Sequence, residues 1–323
     1  MAQKILLIKT SSMGDIIHAL PVVHDMLVHD SELQVDWLVE ESFERIPNLC
    51  SGLRQVIPVA MRRWRKHWFS HQTQQEIQRI RAQMAGQSYD MTIDLQGLIK
   101  SAYLGYWAAG ATRVGYDWSS ARESLATLTY HKKYAVIRQC HAIERNRRLV
   151  GQALGYEPTG EPQTILKHVE PRLLSLPQNP FVVLIHGTSQ ESKCWPVSHW
   201  VALGKTLNQA GWSVCLPAGS PQEQDRSQHI AQELTNALVW PPSELDQIYG
   251  AIAQAAGVVG VDTGLVHLAN TLPLPVVAIH TLTDPHKTGV YGNSSGVNLG
   301  GNNTIPTVSE VWSVLEPMLC KSR

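Results

Sequence analysis

No apolar run in this 323-residue chain approaches the roughly 18–20 residues needed to span a bilayer. The opening stretch, Met1-Ala-Gln-Lys-Ile-Leu-Leu-Ile-Lys9, is too short for a signal peptide and reads as a strand. There is no Cys-x-x-Cys pair. The five cysteines (Cys50, Cys140, Cys194, Cys215, Cys320) are widely spaced and odd in number, which argues against a zinc site or a disulfide framework and fits reduced thiols in a cytoplasmic protein. Gly-x-Gly-x-x-Gly and Walker A sequences are missing, which weakens NAD-linked and ATPase readings. No Asp-x-Asp pair offers to hold a metal on a diphosphate, so chemistry on such a group is expected to be metal-independent, using lysine and helix N-termini. Gly292-Asn-Ser-Ser-Gly296 matches Gly-x-Ser-x-Gly only in form, because a Gly/Asn-rich run follows it instead of a helix.

What is present describes a globular chain of two ordinary domains, 43% hydrophobic and 17% charged. The formal net charge of zero hides an asymmetry. Residues 1–160 carry 19 Lys and Arg against 15 Asp and Glu, a net of +4, whereas residues 161–323 carry 8 against 12, a net of −4. The first half is therefore the expected docking face for an anionic partner.

Continuous apolar runs at 4–8, 35–39 and 91–95 read as strands buried on both faces, with helices expected over 15–28 and 98–108. After a proline-punctuated passage (157–180) the pattern restarts, with strands at 181–185, 212–216, 257–261 and 276–279 and helices at 198–210 and 308–319. Strands alternating with helices give two consecutive α/β domains, 1–160 and 161–323, each with a parallel sheet, facing a cleft; the last helix is free to pack on either. Ligands of such sheets bind beyond the carboxyl ends of the strands.

Five segments lie at such ends or concentrate charge. In Lys9-Thr-Ser-Ser-Met-Gly-Asp15, Gly14 permits a tight turn, and Asp15 either caps its helix or takes a proton from an attacking hydroxyl. In Val261-Asp-Thr-Gly-Leu-Val-His267, Gly264 lets a diphosphate approach the backbone and Thr263 offers a hydroxyl. Thr263, His267 and Asn270 form one polar stripe, either a site or a solvated face. Asp262 would repel phosphate and is assigned to sugar hydroxyls. The loop with Thr188, Ser189 and Lys193 suits a leaving diphosphate, Lys193 offsetting charge as a bond breaks, and Trp195 and Pro196 end the loop by packing. Glu223 follows a strand, as a ribose acceptor or as an ordinary first-turn acid. Arg62, Arg63, Arg65 and Lys66 put four cations within five residues beside Trp64, Trp68 and Phe69, a pattern for nucleic acid, an anionic membrane surface or a charged carbohydrate.

These segments, together with Ile57-Pro-Val-Ala-Met-Arg-Arg-Trp-Arg-Lys66, Asp94-Leu-Gln-Gly-Leu98, Lys193-Cys-Trp-Pro196 and Thr283-Asp-Pro285, occur in an order and spacing that resembles the lipopolysaccharide heptosyltransferases of glycosyltransferase family 9 over nearly the whole length. The resemblance implies a GT-B architecture of two Rossmann-like domains, an N-terminal acceptor-binding one and a C-terminal one for the nucleotide sugar. It implies ADP-L-glycero-β-D-manno-heptose (ADP-heptose) as donor substrate and the Kdo sugar of Kdo2-lipid A as acceptor, with no cofactor. The family's general base falls on Asp15, its donor-phosphate contacts on Thr188, Ser189, Lys193, Thr263 and Gly264, and its ribose contact on Glu223. Asp262 and His267 match positions lining the heptose and diphosphate, and the basic run of Arg62, Arg63, Arg65 and Lys66 matches the segment that meets the acceptor. Two departures stand out: Ser189 where a second threonine is usual, and Ser243 where a methionine near the adenine is usual.

The expected reaction is a single displacement with inversion, in a cytoplasmic protein peripheral on the anionic inner face of the cytoplasmic membrane. The alternatives are another heptosyltransferase of the family, acting one sugar later, and a non-catalytic protein that binds an anionic ligand. The zero net charge argues against nucleic acid as partner.

Overall fold

The computed structural model describes residues 2–188 and 190–321. The first six strands are β1 (Lys4–Ile8), β2 (Gln34–Glu40), β3 (Gln55–Val59), β4 (Met91–Asp94), β5 (Thr112–Tyr116) and β6 (Lys132–Tyr134), joined in the order β3-β2-β1-β4-β5-β6. The next six are β7 (Phe181–Ile185), β8 (Ser213–Leu216), β9 (Ala237–Val239), β10 (Gly257–Val261), β11 (Val276–His280) and β12 (Gly296–Gly300), in the order β12-β11-β10-β7-β8-β9. All neighbours pair in parallel. Numbered within its own half, each sheet reads 3-2-1-4-5-6, the order of doubly wound nucleotide-binding sheets. Strand order reverses between β1 and β4 in the first sheet and between β7 and β10 in the second. The loops leaving those four strands are where such folds bind ligands.

The apolar runs have their physical reason in helices on both faces. Along β7, Val182 and Leu184 join one core with Trp200, Leu203 and Val311, while Val183 and Ile185 join the other with Trp240, Ile248 and Val266. Alternate side chains thus serve opposite faces, and a polar residue at either register would be buried without a partner. In β1, Leu6 and Ile8 pack with Trp64, Leu104 and Trp107.

Two expectations need correction, and a third point, left open, is decided. The helix over 15–28 is two helices, Met13–Ile17 and Pro21–His29, because Pro21 has no N–H to continue the first and is suited to begin the second. The division between units falls after Lys167, not after residue 160. Ser51 N–H donates to the Ile165 carbonyl at 2.9 Å and Lys167 N–H to that of Leu49 at 2.8 Å, holding the connector on the first unit. The buried Arg147 guanidinium, bidentate on Asp25, also takes the carbonyls of Thr159 and Gly160. The last helix, Val308–Lys321, packs in its own unit, with Val311, Leu315 and Leu319 in the core beside β11 and the Val197–Gln209 helix.

Candidate functional site

In the first unit the reversal point gathers Lys9, Asp15, Asp94, Gln96 and Arg122. Lys9 directly follows β1 and is only 6% exposed, and its ammonium donates to the Leu95 carbonyl at 2.7 Å. Asp94, at the end of β4, is buried and accepts from Gln96 N–H (2.8 Å), Gly97 N–H (3.1 Å), Ser101 Oγ (2.8 Å) and Tyr130 OH (2.6 Å). Burial still raises its pKa, because four donors do not fully replace lost hydration. Gly97, at φ +66°, lets the chain turn back beneath this carboxylate in a region closed to most side chains.

Asp15 meets the first of its two expected readings, the helix cap. Its Oδ2 accepts from Ser12 N–H (3.0 Å) and Ser12 Oγ (3.1 Å), a helix cap, and lies 3.5 Å from Arg122 Nη1. None of these contacts uses Oδ1. Capping therefore occupies one oxygen of the carboxylate, and among the described residues no hydrogen bond engages the other. Burial pushes the Asp15 pKa up, but the Lys9 ammonium, Arg122 and the Ser12 hydrogen bonds outweigh it and hold the group below its ordinary value. It stays ionised at neutral pH. Lys9 moves in the complementary sense: burial brings it down to about 8, resisted mainly by Asp15.

The basic segment forms the short helix Met61–Lys66, and its four cations are not equivalent. Arg63 is bidentate on Glu41 (3.2 and 3.0 Å) and reaches Glu76 at 2.9 Å. Glu76 also accepts from the indole of Trp64, which is 1% exposed. Arg63, expected among the acceptor contacts, is thus also a brace. Its charge is spent on carboxylates that hold the helix to its unit. Arg62 lies over the Phe43 ring at 5.2 Å. Arg65 and Lys66 are exposed, and Phe69 nearby is 97% exposed.

In the second unit, the loops after β7, β10 and β11 meet on Asp262. Its Oδ2 accepts from Lys193 Nζ (3.1 Å) and Thr283 Oγ1 (2.8 Å), and its Oδ1 lies 3.2 Å from His267 Nε2. Burial raises the pKa of this carboxylate, and the His267, Thr283 and Lys193 contacts overcome that and set it far below the usual range. The polar stripe along the Gly264–Ala269 helix is turned inward at its middle, with Thr263 and Asn270 half-buried at the two caps. His267 is buried against Asp262, and the Asn270 side-chain amide donates to the Tyr291 carbonyl. Lys193, expected to offset charge on a leaving diphosphate, is ion-paired with Asp262. An ammonium has three donors, so two remain.

Thr263, beside Gly264, is the N-cap of the Gly264–Ala269 helix, and its hydroxyl makes no capping hydrogen bond. Glu223 lies in the first turn of the Pro221–Gln232 helix. Its Oε2 accepts from Gly219 N–H at 2.7 Å, and its Oε1 would be 2.3 Å from a Cβ at Gly187. The glycine after His186 is thus what admits this carboxylate between the ends of β7 and β8. Thr188 is half-buried on the same loop, and Ser189 lies outside the described residues. Trp195 packs as expected, edge-on to Trp200, with its indole N–H on the Pro306 carbonyl. Sequence reasoning gave Lys9, Gln96 and Thr283 no role. Their signal was position, since each sits on a loop leaving a strand at or beside a reversal point.

Comparison with known proteins agrees with this geometry. Residues 77–316 match glycosyltransferase family 9 (heptosyltransferase). Lipopolysaccharide heptosyltransferase 1 of Escherichia coli K12 is 39% identical over 301 residues, 91% of this chain and 92% of that protein. The structure of E. coli heptosyltransferase WaaC with ADP superimposes at a TM-score of 0.90 with 35% identity, covering 98% of this chain and 99% of the other. That of WaaC with ADP-2-deoxy-2-fluoro heptose gives 0.86 with the same identity and coverage. Two doubly wound α/β units in tandem, matched over this length, are the GT-B type.

Proposed function

Because the chain belongs to glycosyltransferase family 9, the heptosyltransferases, we propose that it transfers L-glycero-D-manno-heptose from ADP-heptose to the Kdo sugar of Kdo2-lipid A with inversion. The acceptor hydroxyl gives its proton to Asp15 Oδ1 as its oxygen bonds to the anomeric carbon. The bond from that carbon to the diphosphate breaks on the opposite face, and its electron pair leaves with ADP. The observation that carries this reading is the division of labour on Asp15: one oxygen is held by Ser12 and Arg122, the other accepts no hydrogen bond among the described residues, and the group is ionised by its neighbours.

On the donor side, Thr188, Ser189, Thr263 and Gly264 hold the diphosphate through hydroxyls and main-chain N–H groups, and Glu223 takes the ribose. Lys193 supplies the counter-charge that grows in value as ADP departs. Asp262 aims that ammonium while spending its own charge on Lys193 and His267, which resolves the difficulty of a carboxylate beside phosphate. Asp262 and His267 line the heptose. Arg62, Arg65 and Lys66 meet the acidic acceptor, with Arg63 bracing them. The same cations, with exposed Phe69 and half-exposed Trp68, suit a peripheral position on the anionic inner face of the cytoplasmic membrane. Among the described residues no helix is long and apolar enough to cross a membrane.

The deciding experiment offers ADP-heptose with Kdo2-lipid A, with and without a first heptose, and titrates ADP, UDP and GDP by calorimetry. Turnover only on the heptose-free acceptor and selection of ADP are expected; indifference to the base would overturn the donor assignment. A second expectation concerns the unpaired cations. Each charge near an anionic surface is worth about 1 kcal/mol, so the double variant Arg65→Glu, Lys66→Glu should raise the acceptor KM about tenfold or more. The donor KM should stay within twofold. A parallel rise in both would remove these residues from acceptor binding.

A further inference from the structure

We infer that Gln96 is a positioning residue for the Asp15 carboxylate, setting the loop from which that carboxylate is presented. The inference rests on the reading of Asp15 as the base. Gln96 is 3% exposed, and its Oε1 accepts from two consecutive main-chain donors, Thr10 N–H at 3.2 Å and Ser11 N–H at 3.3 Å. These are the residues that lead from β1 into Ser12, whose own N–H and hydroxyl hold Asp15. The Thr10 carbonyl still accepts from Glu40 N–H of β2 at 3.2 Å, but among the described residues the N–H groups of Thr10 and Ser11 have no main-chain acceptor and turn to Gln96. A buried N–H without an acceptor is costly, so this one oxygen decides where the loop can run.

Gln96 is itself held from behind. Asp94 accepts from the main-chain N–H of Gln96 and Gly97, and is fixed in turn by Ser101 and Tyr130. A continuous hydrogen-bonded path therefore runs from Tyr130 and Ser101 through Asp94, the turn at Gly97 and the Gln96 amide to Thr10, Ser11, Ser12 and Asp15. Both acceptors and donors are defined along it. The two N–H groups require the amide oxygen to face the loop, which settles the orientation of the side chain. Lys9 supports the same junction through the Leu95 carbonyl, one residue before Gln96.

A displacement of about 1 Å in a reacting group can cost on the order of 10²-fold in rate. Gln96→Met keeps the volume and removes the acceptor, and it should lower kcat about 10- to 100-fold while leaving the KM for ADP-heptose unchanged. Gln96→Glu retains an acceptor oxygen in nearly the same shape and should recover most of kcat. The decisive measurement combines Gln96→Met with Asp15→Asn. Groups that act as one unit are not additive, so the double variant should be no slower than Asp15→Asn alone, whereas a purely structural loss would multiply. Near-normal kcat in Gln96→Met, no recovery with Gln96→Glu, or multiplicative losses in the double variant would each overturn the inference. Near-normal turnover in Asp15→Asn alone would instead sink the assignment of the base.

Discussion

Asp15→Asn is expected to lower kcat by about 10³-fold, within the range that a positioned general base contributes, while the affinity for ADP changes less than about threefold. Asparagine is chosen because it keeps an oxygen for Ser12 N–H and is itself a good cap. The helix Met13–Ile17 should survive, and loss of activity cannot then be laid to loss of the turn. What disappears is the negative charge, and with it the capacity to take a proton at Oδ1. Wild-type turnover should fall on the acid side as Asp15 protonates, with a midpoint below the ordinary aspartate value because Lys9 and Arg122 favour the ionised form over the opposing effect of burial. The sign is the same for stability. A depressed carboxylate contributes stability that is present above its unfolded pKa and is lost as pH falls through the folded one. Turnover of Asp15→Asn measured by ADP release, beside ADP titration, checks both halves. Near-normal release would remove Asp15 from the chemistry.

How much of this was legible before any coordinates follows a physical line. Of the seven strands read from the sequence, all are present. Four of the five missed, β3, β6, β9 and β12, are sheet edges. An edge strand has one neighbour and more solvent, so it has no need of a continuous apolar run, and β3 even carries Pro58, which only an edge tolerates. β5 is interior but reads Thr-Arg-Val-Gly-Tyr. Its Gly115 is required because a Cβ there would lie 2.3 Å from the Tyr130 ring, a packing fact that no local pattern announces. Motifs at strand ends were legible for the same reason that the interior strands were: a buried run that stops abruptly marks the site-bearing edge of the sheet.

Partnerships were not legible. Lys193 and Asp262 are 69 residues apart, and Arg63 meets Glu41 and Glu76 across 22 and 13 residues. Whether a cation is free or spent depends on which loops the topology brings together, and charge counts along the chain carry no such information. The four positive charges of the 62–66 segment therefore looked equal in sequence, although one is a structural tie. Gln96 was hidden for a related reason: a neutral amide stands out neither by charge nor by hydropathy, and only its two main-chain donors give it meaning.

The ion pair at the second reversal point carries the other large expectation. Asp262→Asn should cost the protein about 2 kcal/mol, below the 3–5 typical for stripping one partner from a fully buried pair, because Lys193 keeps 24% of its side chain exposed and solvent screens part of the loss. At roughly 2–4 °C per kcal/mol for a unit of this size, melting should fall by about 4–8 °C at pH 7.5. The difference from wild type should shrink on acidification. The folded Asp262 carboxyl lies far below its ordinary value, so its contribution is complete above the unfolded pKa and drains away only as pH drops through the folded one. Catalysis should suffer more than stability. With the carboxylate gone, Lys193, Thr283 and His267 lose their common acceptor, and an ammonium that must meet a leaving diphosphate is no longer aimed. A loss of kcat of about 10²-fold is expected from misplacement of that order, with ADP binding unchanged or tighter because a negative charge has left the phosphate region. Weaker ADP binding at normal kcat would mean that Asp262 serves the bound nucleotide and not the departing one.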